Sequence, residues 1–152
     1  MTAPAPALLA GGSAAGNYLT FLLGEEEYGI PITAVREIIG MLPITPVPSS
    51  PPEMDGVINL RGKVIPVMSA RRRFGLPPSE PHPHNVILVV EGGPDGVLGL
   101  AVDQVKEVVA FAAADVEPPP ANQHSAGGIV LALGKSQGRI RILLDVGKLL
   151  VA

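Results

Sequence analysis

Gly56-Val57-Ile58-Asn59-Leu60-Arg61-Gly62-Lys63-Val64-Ile65-Pro66 is the stretch on which the fold turns. Two short apolar runs flank Arg61-Gly62-Lys63, and Gly62 is free to take the positive φ of a tight turn. The spacing predicts a β-hairpin, and the same pattern recurs outward from it. Residues 18–23 form an apolar run, Gly24-Glu25-Glu26-Glu27 reads as a charged, solvated turn, and residues 28–32 return. Residues 35–41 are apolar around Arg36 and Glu37 and fit a strand or one helical turn. Pro43, Pro46, Pro48, Pro51 and Pro52 then forbid a long helix. Residues 70–74 fit a short helix ended by Gly75 and Pro77.

A Pro-rich linker, PPSEPHPH at 77–84, leads to a second half in the same style. Strands are expected at 85–91 and 97–102 around a Gly-rich turn, at 104–111, and at 129–133 and 139–144 around the turn 134–138. Alternation in Arg139-Ile140-Arg141-Ile142 puts the two Arg on one face and the two Ile on the other. About ten strands in two groups of five predict an all-β chain of two small barrels, since closure removes exposed edges. The first is expected over about 18–76, the second over about 85–145, with a short helix at 145–151 and a flexible tail at 1–17.

Composition narrows the function. The 152 residues include 18 Gly, 17 Pro and no Cys, and the formal net charge is −3. A slightly acidic chain is a poor counterion for a phosphate backbone, so no nucleic-acid partner is expected. Without Cys there is no disulfide, thiolate metal site or cysteine nucleophile. Apolar runs are too short for membrane insertion. No basic segment precedes Leu8-Leu9, so no signal peptide is read and the chain is expected in the cytoplasm. Met1 and an end just after Leu149-Leu150 suggest a stand-alone chain.

Searches for chemistry return little. Gly134-Lys135-Ser136 imitates the end of a phosphate loop, but Ile129 stands where that loop needs Gly, and a strand follows where it needs a helix. His82, His84 and His124 lie in loops; a small metal- or ligand-binding barrel using them is the rival reading of another class. No nucleophile elbow or poised carboxylate pair is visible, so neither catalysis nor a cofactor is expected. Arg71-Arg72-Arg73 is the only basic cluster, either a solvated helix face or a patch for an acidic partner. What remains is a binding module in which paired barrels leave an apolar cleft for a partner's helix.

The run from Gly56 to Pro66, together with Tyr18–Ile30, Val35-Arg-Glu-Ile-Ile39, Gly99-Leu-Ala-Val-Asp-Gln-Val105, Val108 and Ile142-Leu-Leu-Asp145, resembles the CheW family over residues 18–151. The resemblance implies two five-stranded SH3-like barrels. It also implies an adaptor between the regulatory domain of the histidine kinase CheA and the cytoplasmic tips of methyl-accepting receptors, at membrane-associated arrays. A pilus-motility or gene-regulatory output is the alternative to flagella. By resemblance, Val35, Arg61, Val105 and Val108 match receptor-groove positions, and Glu37, Gly56, Gly62 and Gly99 match positions tied to coupling or kinase binding. Plainer readings stand beside these: the valines as core, the glycines as backbone devices, and Glu37 as a partner for Arg61. One departure is Ser69-Ala70-Arg71, where the family usually reads Asp-Leu-Arg; losing the acid is expected to weaken a local cap.

Overall fold

The computed structural model describes residues 14–92, 96–119 and 128–150. In chain order the elements are β1 Gly16–Leu23, β2 Glu26–Pro31, β3 Val35–Gly40, β4 Met54–Leu60, β5 Lys63–Ser69, α1 Ala70–Arg73 and β6 Val86–Glu91. They continue with β7 Val97–Val102, β8 Gln104–Phe111, β9 Val116–Glu117, β10 Val130–Ser136, β11 Arg139–Leu144 and α2 Val146–Leu149. The deciding hairpin is as expected: Leu60 pairs with Lys63 across a two-residue turn, with φ 51° at Arg61 and 87° at Gly62. Positive φ at both positions gives the turn whose twist matches its strands. Asn59 fits it by accepting the Gly62 N–H at 2.8 Å. Gln137-Gly138 repeats the device, with φ 55° and 75°, so Gly134 to Ser136 belong to β10 and not to the turn.

The strands form two sheets, ordered β8-β1-β2-β11-β10-β9 and β3-β6-β7-β5-β4. This confirms an all-β fold of two β-rich subdomains and corrects their boundaries. The five-stranded sheet is built from the middle of the chain, and the other from its two ends. Parallel pairing of β2 with β11 (Tyr28 opposite Ile142) and of β5 with β7 (Val67 opposite Gly99) stitches the halves together. The division at 18–76 and 85–145 therefore does not hold. At the start, β1 begins at Gly16 and Ala14 is buried beside Tyr18, whose hydroxyl donates to the Ala14 carbonyl at 2.7 Å. That burial pushes the Tyr18 hydroxyl up to about 12. The expected tail is thus ordered from Ala14; residues 1–13 lie outside the described residues, as do 93–95, 120–127 and 151–152.

Three apolar layers explain why the strands read as nearly continuous hydrophobic runs. Ile58, Ile65, Val67, Ile87, Val89 and Val97 fill the five-stranded subdomain. Tyr18, Phe111, Ala132 and Leu143 fill the other, with the Tyr18 and Phe111 rings edge to face. The largest layer lies between the sheets and joins Leu19, Phe21 and Ile30 to Met68, Leu88 and Leu100, with Tyr28 stacked on Phe74. The expected open cleft is corrected here: among the described residues the seam between the subdomains is packed by the chain's own side chains.

Candidate partner-binding site

Both strands that carry the predicted groove valines, β3 and β8, are sheet edges. Val35 opens β3 directly after the 3-10 turn Ile32–Ala34. Val35 and Val105 are half-buried against the inter-sheet layer, so the plain core reading holds for their inner surfaces. Val108 differs: it is 53% exposed on β8. It pairs with Leu19 just beyond a slip in the β1–β8 ladder between Leu19 and Phe21. There the buried Thr20 hydroxyl replaces ladder bonds, donating to the Glu107 carbonyl at 2.9 Å and accepting the Glu107 N–H at 3.2 Å. Lys106, Glu107 and Val108 are then exposed in succession, although the Glu107 carboxylate turns toward Arg139 and Arg141.

Arg61 stands at the tip of the β4–β5 hairpin and pairs with Glu37 on β3. The pair therefore links the two edges of the five-stranded sheet, beside a shallow depression of about 250 Å³ lined by Leu60, Lys63 and Val89. Exposures of 69% for Arg61 and 36% for Glu37 leave the pair open to solvent. Exposed pairs contribute about 0–1 kcal/mol, so the fold depends little on this pair and the guanidinium is open to other acceptors.

The predicted glycines separate into two kinds. Gly56 has φ +144°, and a Cβ there would sit 2.2 Å from the Thr45 carbonyl oxygen. At Gly99 a Cβ would meet Ile87 Cγ2 at 2.8 Å. Both are buried, so they serve close backbone packing. Gly62 is exposed at the turn beside Arg61.

Each arginine of the basic cluster is an internal brace, which corrects the reading as a free patch. Arg71 Nε and Nη2 grip both oxygens of Asp103 at 2.8 and 2.6 Å, and Nη1 donates to the Pro77 carbonyl at 2.7 Å. Arg72 Nη1 reaches the Pro52 carbonyl at 3.3 Å and lies 3.5 Å from Asp55. Arg73 Nε donates to the Leu149 carbonyl at 2.9 Å, at the C-terminal end of α2. Ser69 accepts the Arg72 N–H at 3.2 Å and caps α1, so the missing acid leaves no gap.

Asp103 joins the sheets, because it also accepts the Gly24 N–H at 2.8 Å from the β1–β2 turn. The Arg71 hydrogen bonds, then the Gly24 N–H, hold its carboxyl below its ordinary value of 3.8. A depressed folded value stabilises above the unfolded pKa, and that contribution is lost as pH falls through the folded value. Asp103→Asn is therefore expected to lower the urea midpoint at pH 7, with the gap to the parent closing below about pH 4. An undiminished gap at pH 3 would show that the lost stability is not ionic.

The structure also contradicts the solvated-turn reading of the Glu run. Only Gly24-Glu25 forms the turn; Glu26 and Glu27 belong to β2, and Glu27 is buried against Arg141. Arg141 is 0% exposed, while its neighbour on the same face, Arg139, is about half exposed and also lies against Glu27, so the shared face predicted from alternation holds and its Arg141 end turns inward. The signal available in the sequence was that alternation, opposite an acid next to a tight turn. His82 and His84 are exposed in the linker, and the His84 N–H donates to His82 Nδ1 at 3.1 Å; His124 lies outside the described residues. Among the described residues no three His, Cys, Asp or Glu side chains converge as a metal set.

Comparison with known proteins adds an independent line. A family model, the CheW-like domain, matches residues 17–152. The Chemotaxis protein CheW of Klebsiella aerogenes is 35% identical over 143 residues, covering 93% of this chain and 86% of that protein. The Chemotaxis protein CheW of Helicobacter pylori is 32% identical over 134 residues, covering 88% and 81%. The crystal structure of scaffolding protein TtCheW from Thermoanaerobacter tengcongensis superposes with a TM-score of 0.81 at 32% identity, covering 89% of this chain and 92% of that one.

Proposed function

The chain belongs to the CheW-like domain family, and from that premise we propose that it is a non-catalytic adaptor coupling methyl-accepting receptor tips to the histidine kinase CheA. The observation that carries this reading is the exposed aliphatic Val108 on an edge strand, beside the seam that Val35 and Val105 line. An apolar side chain left in water at a strand edge, among charged neighbours, is what a docking rim requires. The receptor's helical tip seats along this rim. Arg61, released from Glu37, donates to the partner, and Gly62 keeps the turn low enough for approach. Gly56 and Gly99 enter the coupling indirectly, by shaping the five-stranded sheet.

The adaptor works at the cytoplasmic ends of receptors and transmits a signal only through contacts that differ between kinase-on and kinase-off arrays. Single contacts are modest, and repetition across the array supplies the avidity. Among the described residues no helix is long and apolar enough to cross a membrane.

Val108→Asp is expected to cut co-sedimentation with receptor-tip assemblies by about tenfold or more, because burying a Val is worth about 1.5–3 kcal/mol and a buried charge adds a penalty. Arg61→Asp should weaken receptor or CheA capture as well. Both variants should keep thermal midpoints within about 3 °C of the parent, since each change is at the surface. Wild-type capture by both variants sinks the reading.

A further inference from the structure

We propose that Glu107 is a positioning residue for the β8 rim, held in place by the buried Arg141 from inside the six-stranded subdomain; this rests on reading β8 as a receptor-binding edge. Arg141 is wholly buried, and its guanidinium points three ways. Nε donates to Glu27 at 3.1 Å, Nη1 donates to the Ser136 carbonyl at 3.1 Å, and Nη2 has no hydrogen-bond acceptor. The Glu107 carboxylate stands 3.6 Å from that Nη2 and accepts from Arg139 Nη2 at 3.3 Å. One carboxylate from β8 is thus shared by two arginines of β11, although β1 and β2 lie between those strands in the sheet.

The place where this happens matters. Glu107 sits at the slip in the β1–β8 ladder, where the Thr20 hydroxyl has taken over the backbone pairing. An edge strand has one neighbour only, and here that neighbour's ladder is interrupted. The Glu107 side chain supplies the missing restraint from across the subdomain. It fixes the segment that carries Val105 and Val108, and the unfilled donor of Arg141 draws the carboxylate inward. The charge pairs do not contact the partner; they set where the rim stands when the partner arrives.

The test is amide hydrogen exchange on residues 104–111, together with receptor-tip co-sedimentation, for the full chain and its variants. Glu107→Ala is expected to speed exchange in β8 about tenfold and to weaken co-sedimentation severalfold. The thermal midpoint should move little, because Glu107 is half exposed and Arg141 keeps Glu27. Glu107→Asp, which retains the charge, should bring both readouts to within about threefold of the parent. Unchanged exchange in β8 overturns the proposal. So does faster exchange with full binding, where Val108→Asp abolishes binding. If Val108→Asp binds normally while Glu107→Ala still loosens β8, the receptor reading of the rim fails and the restraint itself stands.

Discussion

Glu27→Ala is expected to destabilise the protein by about 3 kcal/mol, lowering the thermal midpoint by roughly 10 °C. The cost comes from what is left behind more than from what is lost. Arg141 is 0% exposed and bonded through Nε to Glu27; without that carboxylate the buried cation keeps the Ser136 carbonyl as its hydrogen-bond acceptor and only the half-exposed Glu107 carboxylate, 3.6 Å from Nη2, as a counter-charge. Replacing both partners has a different consequence. Glu27→Leu with Arg141→Met removes the charges together and fills similar volume with apolar groups, which is close to neutral for buried pairs in general. The double variant is therefore expected within about 1–2 kcal/mol of the parent, as read from urea denaturation. Equal destabilisation in the single and double variants would mean that the two side chains matter for packing and not as a pair.

The same pair shows where sequence reading reaches and where it stops. Hairpins were legible because their turns are local: Arg61-Gly62 and Gln137-Gly138 both place Gly at a positive φ between apolar runs. The alternation in β11 was legible for the same reason. Which way that face points was not, since it depends on β11 lying parallel to β2, a strand more than a hundred residues away in sequence. Glu27 then looked like turn solvent because its partner could not be seen. The interleaving of the two sheets escaped for this reason too: parallel pairing needs a crossover and leaves no local mark. At the site, the exposure of Arg61 was legible because a hairpin tip cannot be core, whereas Glu37 could pair with Arg61 or with a partner as far as the sequence went, and only the structure brings the two together. Val108 could not be told from Val35 and Val105 in the sequence: the ladder slip pairs Val105 with Phe21 and Val108 with Leu19, so two valines three residues apart come to one face, and only the packing opposite decides that Val105 is half-covered and Val108 is not.

Gly56→Ala is expected to cost about 3–4 kcal/mol, and its effect on coupling should be secondary to that loss. Two penalties fall on one methyl. The backbone at Gly56 has φ +144°, a region essentially closed to residues with a side chain, where strain runs to about 1–3 kcal/mol. The added Cβ would also lie 2.2 Å from the Thr45 carbonyl oxygen and 2.7 Å from its carbon. Relieving that clash means moving the Thr45 segment away, yet Thr45 is fastened to Val57 by two backbone hydrogen bonds of 2.9 Å. Those bonds cover the outer edge of β4, so their loss exposes an edge strand and favours association of the unfolded-edge form. Gly62→Ala is the matched control: nothing lies within 4 Å of its Cβ, and only the φ of +87° resists. It should cost about 1 kcal/mol. If coupling reads the glycines through the fold, capture of CheA should follow the folded fraction in Gly56→Ala, recovering at lower temperature. Gly62→Ala should stay folded, and any loss of capture there reports on the Arg61 turn itself. A Gly56→Ala protein with a parental thermal midpoint and no capture of CheA would instead place Gly56 at the contact surface.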